Sequence, residues 1–267
     1  MKKTFLLSCL MLAAMPVMAA YTGRVYVDKN KNGVFDPGEK TWAGIKVSDG
    51  LNVVETAADG SFTLPGHERE RFIFITTPSG YKTFNRHYHK IEEKQSGYDF
   101  GLMPYSGRIR KDGSHKYIHI ADTEIFNTEN HEDWVNNVRD YARNEQAAFI
   151  IHTGDICYEK GLKAHIKLMN TENMDCPVFY CIGNHDLVKG KYGEELFESI
   201  YGPVYYSFDA GNVHYIVTPM PGGDHAPGYT ADDVCRWLKN DLAHIRPGTP
   251  VVVFNHDLLT YEDVFYF

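Results

Sequence analysis

Long apolar runs are scarce in this chain of 267 residues, and none that follows residue 17 is long enough to cross a bilayer. The sequence also lacks internal repeats and low-complexity segments. It therefore predicts no further membrane span and no repeat array. The hydrophobic fraction of 43% and the aromatic fraction of 13% suffice for packed cores, which excludes global disorder.

Basic residues and cysteines are also in short supply. The 27 Lys and Arg residues are outnumbered by 35 Asp and Glu residues, and the net charge is −8. This balance argues against broad nucleic-acid binding, and an anionic substrate would need local positive charge such as a metal ion. The cysteines other than Cys9 match no zinc-binding spacing and could form up to two disulfides, but we interpret them as core thiols. They are Cys157, Cys176, Cys181 and Cys235.

The N-terminus has the pattern of an export signal. Two lysines precede an apolar run over 4–17, and small residues permit cleavage after Ala19. We therefore predict a signal peptide over 1–19, a periplasmic or extracellular location, and no transmembrane span in the mature form. A membrane anchor is one alternative, but the run is shorter than the roughly 20 residues that span a bilayer. A lipoprotein signal at Cys9 is another, and it would need a longer apolar run before the cysteine.

Residues 21–103 have the pattern of an all-β domain. Short segments rich in β-branched and aromatic residues alternate with turn signals such as Asp49-Gly50 and Asp59-Gly60. Regular short strands of this kind predict a small β-sandwich. The predicted strands are 23–28, 44–48, 52–56, 61–64, 71–76 and 98–102.

A calcium-loop motif follows the first predicted strand. Residues 28–39 place oxygen-bearing side chains at loop positions 1, 3, 5, 9 and 12, and a glycine at position 6. This spacing can surround a calcium ion, because the glycine allows a sharp bend and a backbone carbonyl fills position 7. The loop resembles the calcium loops of secreted β-sandwich repeats and dockerins, and the alternative is a polar turn that binds nothing. The predicted ligands are Asp28, Asn30, Asn32, Val34, Asp36 and Glu39.

A polar segment at 104–115 is predicted to link the sandwich to an α/β domain over 116–267. Strands and helices alternate from residue 116 onward, which is the pattern of a layered α/β fold. Helices are predicted at 132–146, 162–169, 194–200 and 232–244. Strands are predicted at 117–120, 148–152, 178–182, 205–209, 213–218 and 250–255, with 205–209 and 213–218 paired as a hairpin around Gly211-Asn212.

Four of these strands end in clusters of carboxylate, amide or imidazole side chains. Because the strands of one parallel sheet end along one edge, we expect the clusters to meet there. Oxygen ligands with imidazole suit one or two divalent metal ions, so the leading hypothesis is hydrolysis by a metal-activated water. The clusters are Asp122-Thr123-Glu124, Gly154-Asp155, Gly183-Asn184-His185-Asp186 and Asn255-His256-Asp257.

In this order, the clusters resemble the motifs of the calcineurin-like metallophosphoesterases. The family pattern is D-x-H, G-D, G-N-H-D/E, a lone His after a strand, and finally G-H-x-H. The resemblance covers 116–267, and the first domain resembles the β-sandwich that precedes such enzymes in some exported bacterial proteins. It implies two divalent ions, Mn, Fe or Zn, and a proton donor or phosphate ligand at His185, with Asp186 orienting its ring. The implied metal ligands are Asp155 as the bridge, Asp122 at the first ion, and Asn184 and His256 at the second.

The sequence departs from the family pattern at three points. Glu124 stands where a histidine is common, and it would be a substitute ligand or the sign of an altered metal site. Tyr158 stands where many relatives carry Asp or Asn. A tyrosine there binds ferric iron in purple acid phosphatases, and a non-ligating pocket residue is the alternative. No G-H-x-H follows His256, and His225 does not replace it, so the domain is predicted to be incomplete.

The sequence thus predicts an exported metal-dependent phosphoesterase that acts on a phosphomonoester or phosphodiester. One alternative is a noncatalytic, calcium-stabilised binding protein on a degenerate phosphoesterase scaffold. Another is a metallohydrolase that cleaves a pyrophosphate. The expected partner is a small phosphoester, a nucleotide or a lipid headgroup, with no specific nucleic acid.

Overall fold

The computed structural model describes residues 20–93, 95, 97–105 and 108–257. The predicted signal peptide at 1–19 and the end of the predicted catalytic domain at 258–267 lie outside the described residues, as does part of the predicted link. Over the described ranges, no helix has the length and apolarity that a membrane span needs.

The N-terminal part forms two β-sheets, which confirms the prediction of a strand-rich sandwich. One sheet has the order β2-β1-β9-β7, with β5 also paired to β1, and the other has the order β4-β3-β6-β8. In chain order the strands are β1 (Tyr21–Val27), β2 (Lys40–Thr41), β3 (Lys46–Ser48), β4 (Val53–Glu55), β5 (Ser61–Leu64), β6 (Phe72–Ile75), β7 (Tyr81–Thr83), β8 (Tyr88–Lys90) and β9 (Phe100–Pro104). Alternation is visible in β5, where Phe62 and Leu64 are buried and Thr63 is exposed.

The sequence pattern misses three of these strands, β2, β7 and β8. Each has only two or three residues and, unlike the equally short β3 and β4, contains no valine or isoleucine that would mark a strand. All three lie at sheet edges, where β2 pairs with β1, β7 with β9 and β8 with β6. Pairing with a neighbouring strand, and not local composition, makes these segments strands.

From residue 117 onward, strands and helices alternate as predicted. The helices are amphipathic, and α5 begins with a capping box between Thr230 and Asp233. The elements are β10 (Tyr117–Ile120), α1 (Glu132–Asn144), β11 (Phe149–His152), α2 (Tyr158–Leu168), α3 (Thr171–Met174), β12 (Val178–Tyr180), a 3₁₀ turn (Asn184–Asp186), α4 (Glu195–Tyr201), β13 (Tyr206–Ala210), β14 (Val213–Val217), α5 (Ala231–Ala243) and β15 (Val251–Phe254).

The predicted hairpin of β13 and β14 is confirmed, but the expectation that all four strand-end clusters lie on one parallel sheet is wrong. Strands β10, β11 and β12 are parallel, but β13 and β14 form an antiparallel hairpin, and β15 joins β14 in parallel. The hairpin ends the parallel series and starts a second sheet. The two sheets pack face to face, with the Phe149 ring 5.0 Å from the rings of both Phe208 and Tyr215, between centroids. The strand-end clusters therefore reach the site from two sheets.

The sandwich and the α/β domain share a hydrophobic core through β6. Its Ile73 and Ile75 belong to the sandwich core, whereas Phe72 and Phe74 pack into the core of the α/β domain. The Phe74 ring centroid lies 6.2 Å from that of Trp237, which is fully buried on α5. Because β6 is buried on both faces, the sandwich is packed as a fixed part of the α/β domain.

Just before β6, an arginine joins the two domains through buried carboxylates. Arg71 Nη2 lies 2.8 Å from Glu194 Oε1 and 2.9 Å from Glu198 Oε1, and the guanidinium covers the Tyr192 ring. Glu194 also accepts a hydrogen bond from the backbone N–H of Gly228. One positive charge thus faces two carboxylates. Burial, opposed by Arg71 and reinforced by Glu194, raises the pKa of Glu198 to about 8.

We expect Glu198→Gln to reduce the loss of stability at alkaline pH. The folded-state pKa of Glu198, about 8, lies above its ordinary value of 4.5. Its contribution to stability is therefore present below pH 4.5 and is lost as the pH rises through 8. Urea unfolding at pH 5 and pH 8.5 gives the difference in unfolding free energy, which should shrink by on the order of 2 kcal/mol in the variant. Glu172→Gln, at an exposed position on α3, is the control. Equal pH dependence in all three proteins would contradict the prediction.

Candidate metal centre

In the parallel sheet of β10, β11 and β12, the loops that follow β11 and β12 are in contact through their backbones. The loop after β11 holds Gly154 and Asp155, and the loop after β12 holds Gly183. A methyl group on Gly154 would come within 2.5 Å of the Gly183 nitrogen, and one on Gly183 would clash with the amide nitrogen and Oδ1 of Asp155. Gly154 also has φ +103°, which side chains rarely adopt. The two glycines therefore let the loops approach closely enough to position Asp155.

Asp186 fastens the same two loops with both carboxylate oxygens. Oδ1 accepts from the backbone N–H of Cys157 at 2.8 Å, and Oδ2 accepts from that of Gly183 at 2.9 Å. The side chain is fully buried, and burial, opposed by these hydrogen bonds, raises the pKa of Asp186 to about 6. The structure does not bear out the prediction that Asp186 orients the ring of His185, because Asp186 bonds these backbone groups and the ring pairs with Asp224.

Asp122, Asp155 and His256 converge at these strand ends. One ligand atom of each lies within 4.8 Å of the others, a condition that no other trio of His, Cys, Asp or Glu among the described residues meets. Asp155 Oδ2 lies 3.4 Å from His256 Nε2, and Asp155 Oδ1 accepts from the backbone N–H of His185 at 3.1 Å. Two carboxylates and an imidazole are a donor set that suits a divalent transition metal.

The ring of His256 is held so that one nitrogen points to the carboxylates. Nδ1 donates to the carbonyl oxygen of Thr153 at 2.8 Å, which leaves Nε2 facing Asp155. The hydrogen bond with Asp155 outweighs burial and raises the pKa of His256 to about 9. A metal ion needs the deprotonated nitrogen, so its binding here would release a proton.

Unusual backbone conformations concentrate at this centre. Of the nine non-glycine residues with positive φ in the described ranges, five lie close together at the start of the loop after β10, in the loop after β11 and at the first residue of α2. They are Asp122, Glu124, Asp155, Cys157 and Tyr158. Such conformations cost of order 1–3 kcal/mol each and persist only where the surroundings enforce them. Their concentration at the metal-ligand cluster supports a functional role for both loops.

His185 lies on the exposed side of the centre, paired with Asp224. His185 Nδ1 lies 2.9 Å from Asp224 Oδ2, and this hydrogen bond is the main reason that the pKa of His185 is raised. The backbone N–H of Asp224 donates to the carbonyl of Asn184 at 3.1 Å. This bond joins the loop at 221–228, here called the glycine-rich loop, to the 3₁₀ turn. Sequence reasoning missed Asp224 because its loop has no periodic pattern. The adjacent His225 is exposed.

The other predicted ligands lie near the centre without joining the three-residue cluster. Glu124 is exposed, and its charge adds to the effect of Asp224 in raising the pKa of His185. Asn184 is half-buried and begins the 3₁₀ turn. The Tyr158 ring centroid lies 5.5 Å from that of His185. The roles of all three as metal ligands stay predictions.

Buried hydrogen bonds behind the centre were also missed from the sequence. His152, fully buried at the end of β11, bonds Thr123 Oγ1 at 3.0 Å through Nε2, and its Nδ1 accepts from the backbone N–H of Gly154 at 3.2 Å. Burial holds the pKa of His152 well below its usual value, so the ring is neutral and can accept this bond. His119 Nε2 bonds Thr153 Oγ1 at 2.8 Å. These bonds connect the loops after β10 and β11.

Three cysteines near these strands are buried thiols. Cys157, Cys176 and Cys181 are at most 1% exposed. Burial raises the pKa of Cys157 to about 12 and that of Cys176 to about 11. Such thiols stay protonated at neutral pH and are poor nucleophiles. The interpretation as core thiols is confirmed for these three residues.

The predicted calcium loop at 28–39 is closed by its own polar groups. Asp28 is buried, and its two oxygens accept from the backbone N–H groups of Asn32 at 3.2 Å and Gly33 at 2.8 Å. Farther along, Glu39 accepts from the backbone N–H of Asp36 at 3.0 Å. Gly33 has φ +75° and supplies the sharp bend expected at the sixth loop position. The bend lies at the position that the motif requires, and calcium binding by this loop stays a prediction.

We expect Gly183→Ala to weaken divalent metal binding. The added methyl group meets the backbone and carboxylate of Asp155, so the two loops must separate. Overpacking of this kind costs about 1–3 kcal/mol of stability, and displacement of Asp155 should lower Mn²⁺ affinity at least tenfold in calorimetric titrations. Gly222→Ala is the matched control, because nothing lies within 4 Å of its added methyl group. Equal Mn²⁺ affinity in the two variants would contradict the prediction.

Comparisons with known proteins agree with this geometry. Residues 29–105 match the family described as the N terminal of calcineurin-like phosphoesterase, and residues 115–265 match the calcineurin-like phosphoesterase family. No curated protein matches the chain significantly. The second family is hydrolytic, acts on phosphoester bonds and usually binds two divalent metals, and its match spans more than half of the chain. The chain therefore belongs to the calcineurin-like phosphoesterases.

Proposed function

We propose that the protein is an exported hydrolase of a phosphomonoester or phosphodiester, in which water attacks phosphorus. The observation that carries this proposal is the convergence of Asp122, Asp155 and His256 beside the partly exposed ring of His185. The family match supports phosphoester hydrolysis in general. The basic and apolar sequence at 1–19 supports export to the periplasm or the extracellular space.

The donor atoms at the centre fit Mn, Fe or Zn. Carboxylate oxygens and an imidazole nitrogen suit these ions, and Asn184 and Glu124 would add oxygen ligands from the neighbouring loops. When bound, two such ions lower the pKa of water towards about 7 and neutralise charge on phosphate oxygens. The chain carries a net charge of −8, so its overall charge does not attract an anionic ester to this centre.

His185 is the side chain best placed to act on the leaving oxygen. Asp224 occupies its Nδ1, so Nε2 is left to donate a proton to the leaving oxygen or to hold a phosphate oxygen. The side chain is 35% exposed, which leaves it accessible to a substrate. Asp186 contributes indirectly, because it holds the backbone of the loop that carries His185.

Asp155→Asn should abolish hydrolysis. Asparagine keeps the shape of the side chain but removes the negative charge that faces the cations, so we expect kcat/KM to fall by about 100-fold or more. The measurement is Mn²⁺-dependent hydrolysis of p-nitrophenyl phosphate and of bis(p-nitrophenyl) phosphate, with metal content determined on the same samples. The two substrates separate monoesterase from diesterase activity.

The control for this test is Asp232→Asn, which changes an exposed carboxylate on α5, remote in sequence from the strand-end loops. Its rate should stay within about twofold of wild type. Turnover that persists in Asp155→Asn, or that needs no divalent metal, would contradict the proposal. A wild-type chain that binds calcium but cleaves no monoester, diester or pyrophosphate would favour the noncatalytic binding protein.

The loop at 28–39 is proposed to bind a structural calcium ion. The support is its spacing of oxygen-bearing side chains, the left-handed Gly33 and the buried anchor Asp28. Asp28 directly follows β1, and its backbone N–H donates to the carbonyl of Leu102 on β9. An ion here would therefore stabilise the pairing of β1 with β9 in the sandwich. The proposed ligands are Asp28, Asn30, Asn32, Val34, Asp36 and Glu39.

Calcium should raise the Tm of the wild-type chain by several degrees, and Asp28→Asn should lose that gain. Binding at about 100 times the dissociation constant stabilises a folded chain by about 2.7 kcal/mol, and the variant removes one charged ligand. The Tm of each protein in calcium is compared with its own Tm in EGTA. The hydrogen bonds that Asp28 loses in the variant are missing under both conditions, so their effect cancels. Asp59→Asn, in an exposed turn, should keep the gain. A wild-type Tm that is the same in calcium and EGTA would rule out the site.

A further inference from the structure

Two exposed aromatic rings lie beside the metal centre. Phe126 is 53% exposed and Tyr158 is 45% exposed, whereas the core of this domain buries most of its aromatic rings. The two rings are nearly parallel, with an interplanar angle of 17° and centroids 6.3 Å apart. Tyr158 also lies next to His185, at 5.5 Å between ring centroids. Phe126 and Tyr158, here called the aromatic pair, therefore extend outward from the group proposed to act on the leaving oxygen.

The backbone holds the aromatic pair in place. Tyr158 has φ +53° and Cys157 before it has φ +76°, which is rare for residues with large side chains. Phe126 follows Ile125, whose side chain is 5% exposed. The Ile125 carbonyl touches Gly161 of α2 so closely that a methyl group there would clash. The segment carrying Phe126 is thus fixed against the helix that begins with Tyr158.

Core packing does not explain why these rings face solvent. Neither ring belongs to a hydrophobic core of the described residues. Strained backbone conformations cluster at active sites and ligand-binding sites. A strained backbone that presents a ring to solvent beside the metal centre therefore points to a ligand for that ring. The carboxylate of Asp224 lies near Tyr158, because Asp224 Oδ2 is 2.9 Å from His185 Nδ1 and the Tyr158 ring centroid is 5.5 Å from that of His185. Carboxylates disfavour a second anionic group at this position and leave a neutral, flat group as the fitting ligand.

We propose that the aromatic pair binds a planar ring in the alcohol portion of the substrate, so that the enzyme prefers phosphoesters of ring-bearing alcohols such as nucleosides. This inference rests on the proposed function. With phosphate at the metal centre and the leaving oxygen at His185, the rest of the alcohol would extend over Tyr158 and Phe126. Stacking of a base on aromatic side chains gives about 5- to 150-fold tighter binding, and a glycerol or alkyl group has no flat face to stack.

Binding of two hydrolysis-resistant phosphonates tests the proposal. One is the phosphonate analogue of adenosine 5′-phosphate, and the other is the same analogue of ribose 5-phosphate, which lacks the base. In calorimetric titrations of the Mn²⁺-loaded chain, the adenosine compound should bind at least about fivefold more tightly. Phe126→Ala and Tyr158→Ala should each reduce this preference to below about twofold. Phenylphosphonate against methylphosphonate shows whether a simple aryl group is also preferred.

Two controls separate ring binding from structural support. Tyr158→Phe keeps the ring and should keep the preference, and so should Tyr141→Ala, which removes a 59% exposed ring on α1. Equal binding of the ring-bearing and ring-free compounds by wild type would overturn the proposal. A preference that survives both alanine substitutions would also overturn it. So would an equal loss of affinity for the two compounds, since the rings would then only support the structure of the site.

Turnover measured on the same wild-type sample distinguishes the two proposals. Metal-dependent hydrolysis of p-nitrophenyl esters without a preference for the adenosine phosphonate would retain the proposed function and reject the aromatic pair as a substrate site. A ring preference in binding without turnover of any ester would instead reject the proposed function and keep the pair as a ligand site.

Discussion

The contact between the Gly154 and Gly183 backbones, fastened by the buried carboxylate of Asp186, is the constraint on which the metal centre depends. Each glycine faces the other loop at a distance that leaves no space for a side chain. Asp186 holds the two loops by accepting a backbone N–H from each. Asp155 is positioned by this contact, and its two oxygens face His256 and the backbone N–H of His185. The centre is thus built on backbone geometry before any metal is considered.

The β-sandwich is connected to the same site through Arg71. Arg71 binds Glu194, and Glu194 in turn accepts from the Gly228 backbone, which ends the glycine-rich loop. That loop carries Asp224, the partner of His185. A continuous series of contacts therefore runs from the sandwich to the exposed side of the metal centre. The sandwich also completes the core of the α/β domain, because its Phe72, Phe74 and Tyr88 pack there.

Sequence patterns predicted the features that depend on neighbouring residues. Composition between turn signals predicted β5, and glycine and polar residues at strand ends predicted Asp122, Asp155 and His256. Features that depend on distant residues were missed or misassigned. Asp224 lies 39 residues from His185, and the choice between Asp186 and Asp224 as its partner requires the course of both loops. The division into two sheets likewise depends on the pairing of β15 with β14, which no local pattern specifies.

The central claim is that these strand-end loops hold catalytic metal ions. Crystals grown with Mn²⁺ and measured for anomalous scattering test it most directly, because each bound ion gives its own peak. We predict two peaks within coordinating distance of Asp155, one beside Asp122 and the other beside Asn184 and His256. A folded chain in millimolar Mn²⁺ with no peak within coordinating distance of Asp155 would contradict the account.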